Sequence, residues 1–121
     1  MPILLDANAV LRYLLEDQPD QANEVEQAIS QGAEVTLEVL AECVYVLSGV
    51  YGVSRSGIAE SLCILLDEVG CQRFNTAVSA IGLYRGSTMD FVDCILAAEH
   101  EKGREVLTFD KKLLCLMKKL D

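Results

Sequence analysis

Four carboxylates stand where a carboxylate is either costly or conspicuous. Asp6 closes the apolar run Ile3-Leu4-Leu5, and Asp110 closes Val106-Leu107-Thr108-Phe109. Glu42 interrupts the apolar stretch Val39-Leu40-Ala41-Glu42-Cys43-Val44, and Asp93 interrupts Phe91-Val92-Asp93-Cys94-Ile95-Leu96. An unpaired buried carboxylate is expensive, so each needs a cation, a hydrogen-bond donor or a shifted pKa. Bases to pair with them are scarce: the chain has ten, and six lie beyond residue 100. A divalent ion would neutralise several of these acids at once. Ligation by oxygen alone, with no His or Cys at metal spacing, selects a hard ion, Mg²⁺ or Mn²⁺, over zinc.

Each acid also has a plainer reading. Asp is a favoured N-cap, and taken one at a time Asp6 and Asp110 are better explained as caps of the helices that follow them. Glu42 could reach the surface, and Asp90, one helical turn before Asp93, could be the inward residue instead. The set persuades as an ordered whole. The lone histidine, His100, lies beside Glu99 and Glu101 late in a helix, which explains it without a general-base role. Tyr13, Tyr45, Tyr51 and Tyr84 have helical spacings that suit core or dimer packing. With no Trp and no interleaving of aromatic and basic residues, a stacking platform for bases is not expected.

The elements that must position these groups follow from periodicity. Pro2 to Leu5 reads as a buried strand feeding a helix over Ala7 to Glu16, with Val10, Leu11, Leu14 and Leu15 on its inner side. Pro19 opens a second helix that Gly32 stops. Ala33 to Leu37 is a weak strand, and Glu38 to Tyr51 a helix that is apolar nearly all round and ends at Gly52. Ser54 or Ser56 can cap a helix through Val69, closed by Gly70, with a short strand around Cys71 to Phe74. Asn75 can cap a helix to Arg85. Ser87, Thr88 or Asp90 starts another that runs to Glu101–Gly103, Arg104 to Phe109 is a strand, and Lys111 to Leu120 a last helix. Short apolar strands alternating with helices imply an α/β fold, a three-layer α/β/α sandwich around a short, mostly parallel central sheet. Asp6 and Asp110 would then fall at the carboxyl ends of strands, where such sheets bind ligands.

The 121 residues suit one domain, 1–121, and 51% hydrophobic residues can supply its core. Five cysteines, odd in number and without a C-x-x-C pair, read as reduced core thiols of a cytoplasmic protein. The amino terminus lacks the pattern of a secretory leader and no stretch approaches membrane-spanning length. The net charge of −9 opposes the electrostatic footprint of a nucleic-acid binder. It is unevenly placed, however: residues 101–121 hold six bases against four acids, and the four carboxylates above make up nearly half of the net charge.

Leu5-Asp6-Ala7-Asn8, the central Glu42, Asp90-Phe91-Val92-Asp93 with Ala97-Ala98, and Leu107-Thr108-Phe109-Asp110, in that order and spacing, resemble the PIN-domain family. The toxin half of VapBC-type toxin–antitoxin pairs is the particular likeness, and it spans essentially the whole chain. It implies that Asp6, Asp93 and Asp110 hold the metal, directly or through water, and that Glu42 completes the acidic ring. Asn8 and Thr108 would be small polar residues beside the metal or the scissile phosphate. Their plain alternatives are a helix cap and an ordinary β-branched strand residue. The implied reaction is metal-dependent hydrolysis of RNA to a 5′-phosphate and a 3′-hydroxyl, the ion lowering the pKa of a bound water. Arg12 and Arg85 are the candidates for touching phosphate. The likeness further implies an RNA substrate, an antitoxin protein as partner and a homodimer.

Two other classes use strand-end aspartates. A dehalogenase-type phosphatase wants a second Asp where this chain has Asn8, and a receiver domain wants an acidic pair and a strand-end Lys that are not found. The stronger rival is a non-catalytic protein on the same scaffold that works by binding a protein partner.

Overall fold

The computed structural model describes residues 2–121. Its elements are β1 (Ile3–Leu4), α1 (Ala7–Leu15), α2 (Pro19–Gln31), β2 (Ala33–Glu34), α3 (Leu37–Gly49), α4 (Arg55–Glu68), α5 (Phe74–Arg85), α6 (Phe91–Glu101) and α7 (Lys111–Lys119). The three-layer sandwich with a central sheet is overturned. Among the described residues the only sheet is one parallel pair, β1 on β2, in the register Ile3↔Ala33 and Leu4↔Glu34, and seven helices make up most of the rest.

The reason lies in what each apolar run finds to pair with. Ile3 N donates to Gly32 O and Leu5 N to Glu34 O, both at 2.9 Å, so the first run becomes a strand. Gly70 N donates to Ala33 O and Val35 N to Gly70 O, which leaves a single bridge where a strand over Cys71 to Phe74 was expected. Gly70 allows that approach because a Cβ there would lie 3.2 Å from Glu34 Cγ. The chain then enters α5 at Phe74, so Asn75 is a helical residue and not its cap. Arg104 to Phe109 has no ladder partner among the described residues and is irregular. An apolar run with strand-like composition still needs a neighbouring backbone to become a strand.

Contacts cluster into two compact units, an amino-terminal one ending at Phe74 and a carboxy-terminal one over Asn75–Asp121. In the first, α1 lies on α2 and α3, and α3 on α4, around fully buried Val10, Leu40, Cys43, Ile58, Leu62 and Leu65. Pro19 does open α2, and Ser54 caps α4 by accepting from Gly57 N at 3.1 Å. Thr36 caps α3 by accepting from Val39 N at 3.2 Å, which ends β2 sooner than the Ala33–Leu37 reading placed it. In the second unit, α6 packs with α7. Ile81, Cys94, Ala97, Ala98 and Leu113 are buried, and the Tyr84 and Phe91 rings meet edge to face at 5.9 Å.

Of the five cysteines, expected as core thiols, only Cys43 and Cys94 are buried, while Cys63 and Cys115 are exposed. Leu62-Cys63-Ile64-Leu65 is apolar along the sequence, but successive residues of a helix turn by about 100°. Leu62 and Leu65 therefore face inward, and Cys63 and Ile64 outward. No helix among the described residues is long and apolar enough to cross a membrane.

Candidate functional site

In the amino-terminal unit, pairing of Leu5 N to Glu34 O carries the chain to the end of β1, and Asp6 follows in extended conformation as the N-cap of α1. Asp6 Oδ1 accepts from Ala9 N at 2.8 Å. No hydrogen bond reaches Oδ2 among the described residues, so the cap occupies one oxygen and leaves the other. Asn8 is not the cap; it lies exposed in the first turn of α1. Asp6, Asn8 and Arg12 line the same open depression of about 540 Å³. Arg12 is already engaged, its guanidinium donating to both oxygens of Asp17 at 3.0 and 3.2 Å.

Glu42 is exposed on α3, the surface alternative to the burial its apolar surroundings suggested. The next residue, Cys43, points inward, and its thiol donates to Ala7 O at 3.8 Å, fastening α3 to the start of α1. Burial, then the charges of Glu42 and Asp6, push this thiol up to about 12. Asp6 and Glu42 thus both act on one sulfur, and the fold brings this pair together.

In the carboxy-terminal unit, Asp93 is half-buried in the first turn of α6. Its carboxyl is held above the usual carboxylate range by burial first, then by the charges of Asp110 and Asp90. Asp90 occupies the N-cap position of α6 with extended backbone, but its side chain makes no capping bond. Asp110 does cap α7, Oδ1 accepting from Lys112 N at 2.8 Å and Leu113 N at 3.1 Å. Thr108 Oγ1 accepts from Asp110 N at 3.0 Å, a side-chain turn that holds the aspartate's backbone in place. As in Asp6, no hydrogen bond reaches Asp110 Oδ2 among the described residues.

Both caps and both functional readings therefore coexist in geometry, because a carboxylate has two oxygens and a cap needs one. The donor set suits a hard divalent ion. Its carboxy-terminal members are all oxygen donors, with Asp110 and Asp90 crowding Asp93 and one oxygen of Asp110 uncommitted. Among the described residues no three His, Cys, Asp or Glu side chains already converge at ligand spacing.

Comparison of the chain with protein-family models, with curated proteins and with solved structures gave no match.

Several partnerships escaped the sequence reading. Glu99, whose side chain is 12% exposed, accepts from Thr76 Oγ1 at 3.1 Å and pairs with Arg104 at 3.4 Å, while Lys102 Nζ donates to the same Thr76 hydroxyl. Thr76 is buried, so this cluster satisfies polar groups that link α5 to the end of α6. The Tyr13 hydroxyl donates to Glu68 at 2.8 Å, and burial with that bond pushes it up to about 12. Tyr45 is 78% exposed and so lies outside the core of its unit. His100 lies 2.7 Å from Asp121. The only sequence trace of the Glu99 cluster was its position three residues before Lys102, on the same side of the helix end.

Proposed function

We propose that this chain is a Mg²⁺- or Mn²⁺-dependent endoribonuclease, in keeping with its sequence resemblance to PIN-domain toxins. The observation that carries the reading is Asp93, a half-buried carboxyl crowded by the charges of Asp110 and Asp90. Proton uptake or a cation relieves such crowding, and at neutral pH a divalent ion is the stronger remedy. The resemblance assigns ligand roles to Asp6, Asp93 and Asp110, directly or through water, with Glu42 as the fourth acid. The ion would supply an activated water and charge stabilisation at the phosphate. The chain's own part is orientation. Helix caps fix one oxygen each of Asp6 and Asp110, and Thr108 fixes the backbone of Asp110, so the remaining oxygens need little reordering. Asp93, placed by the first turn of α6, holds its proton more tightly than a free carboxyl, so an ion there would compete with protons and bind better as pH rises.

The same reading makes the chain the toxin of a toxin–antitoxin pair, acting in the cytoplasm as a homodimer until a protein antitoxin binds it. The deciding experiment is anomalous diffraction from crystals soaked in Mn²⁺, with cleavage of a mixed RNA pool measured alongside. Manganese at Asp93 and Asp110, with 5′-phosphate products that EDTA suppresses, is the expected outcome. Scattered acids without metal, and intact RNA, would leave a protein that binds a partner without cutting.

A further inference from the structure

The segment between Arg104 and Asp110 alternates in exposure as extended chain does: Val106 and Thr108 are half-buried, whereas Leu107 is 88% and Phe109 90% exposed. A phenylalanine this open is costly in water, since burying such a side chain is worth roughly 1.5–3 kcal/mol. It is also the residue directly before Asp110. Lys111 and Lys112 follow, both exposed and neither with an ion-pair partner among the described residues, in a chain that is acidic elsewhere. Leu107, on the other side, forms part of the lip of an open depression of about 570 Å³ that Arg104, Val106, His100 and the acids Glu105 and Asp121 also line, so the cations that could meet phosphate there are Lys111 and Lys112. An exposed aromatic face beside two uncommitted cations on an extended segment forms the combination that recognises single-stranded nucleic acid. The ring stacks on a base whatever its identity, and the cations meet the flanking phosphates.

We infer that Phe109 is a base-stacking residue: it receives a nucleobase of single-stranded RNA next to the phosphate presented to Asp110, with Lys111 and Lys112 on the neighbouring phosphates. The inference rests on the ribonuclease reading for the role of Asp110, while the stacking itself can be measured without cleavage. A duplex keeps its bases stacked on one another and offers no free face to the ring, so this contact selects single strands. Because the ring is exposed, replacing it leaves the buried core untouched.

The test compares Phe109→Leu and Phe109→Tyr with the unaltered chain. Binding of a fluorescein-labelled, mixed-sequence single-stranded RNA is followed by anisotropy, with Ca²⁺ in place of Mg²⁺, beside steady-state cleavage in Mn²⁺. Leucine keeps bulk and hydrophobicity without the π face, so affinity falls roughly five- to hundredfold and KM rises in parallel while kcat holds. Tyrosine restores both, and the matching duplex RNA shows no difference between the variants. Equal single-strand affinity and KM for Phe109→Leu and the unaltered chain overturn the inference while leaving the ribonuclease reading in place. Phe109-dependent binding of single strands by a chain that cuts nothing upholds the inference and removes that reading.

Discussion

The amino- and carboxy-terminal units each carry acids from the same candidate set, and each handles their charge differently. Asp6 and Glu42 are exposed, and their field is felt by a neighbour, the buried Cys43 thiol. In the other unit the field falls on a member of the set itself: Asp93 is half-buried, and Asp110 and Asp90 raise its carboxyl. Solvent screens the first pair, whereas the first turn of α6 shelters Asp93 from the water that would do the same. The contrast teaches that similar acidic motifs are not equivalent. The carboxylate with most to gain from a cation is the one the fold partly desolvates, and Asp93 is the place to break the site.

The largest expected effect follows directly. Asp93→Asn changes charge with little change in volume, and should lower RNA cleavage by at least about a hundredfold while circular dichroism stays native. The same substitution should raise Tm at pH 7. The folded-state pKa of Asp93 lies above its unfolded value, so the native state holds this proton more tightly and stability falls as pH rises through that range. The asparagine variant lacks that penalty. Its advantage in Tm should therefore be full above the folded pKa and vanish below the unfolded one, about 3.9. An advantage that is flat with pH would assign the effect to something other than this carboxyl.

A middle-sized effect separates capping from ligation. Asp110→Ala removes both and should cost about 1 kcal/mol of stability, seen in urea unfolding. Asp110→Asn keeps a good cap, so stability holds while cleavage is lost. If both variants lose stability equally and cleave normally, Asp110 is a cap and nothing more.

The smallest effect concerns Thr108→Val. It deletes the bond to Asp110 N, worth roughly 0.5–1.5 kcal/mol, and should slow cleavage by no more than about tenfold. A drop as deep as that of Asp93→Asn would give Thr108 a direct part in the chemistry.

Helices were legible in the sequence because their signals are local. Pro19 at a first turn, Ser54 as a cap, and the stripes of α1 and α4 report on residues a turn apart. Strands were legible only where a partner existed. Val106-Leu107-Thr108-Phe109 has the composition of a strand, and composition carries no information about whether a neighbouring backbone is present to pair with it. The candidate site divides in the same way. That Asp6 and Asp110 end apolar runs was readable, as was their fitness to cap. Which of Glu42's two readings holds, burial or the surface, was not, because Cys43 beside it takes the inward position on α3 and only three-dimensional packing decides which of two adjacent residues does so. Nor could the sequence show Phe109 uncovered, since the strand assigned to it would have covered the ring.

The strand pairing in the amino-terminal unit also has a kinetic side. The β1–β2 pair forms only when Ile3 finds Ala33 across some thirty residues, and the bridge beside it only when Glu34 finds Gly70. Closing such loops costs entropy before contacts repay it, which slows folding, whereas the Tyr84–Phe91 contact of the other unit joins near neighbours. During synthesis Ile3 and Leu4 wait for Ala33 and Glu34 to emerge, and β2 in turn waits for Gly70, so an unfinished strand edge is open meanwhile to chaperones or to other nascent chains.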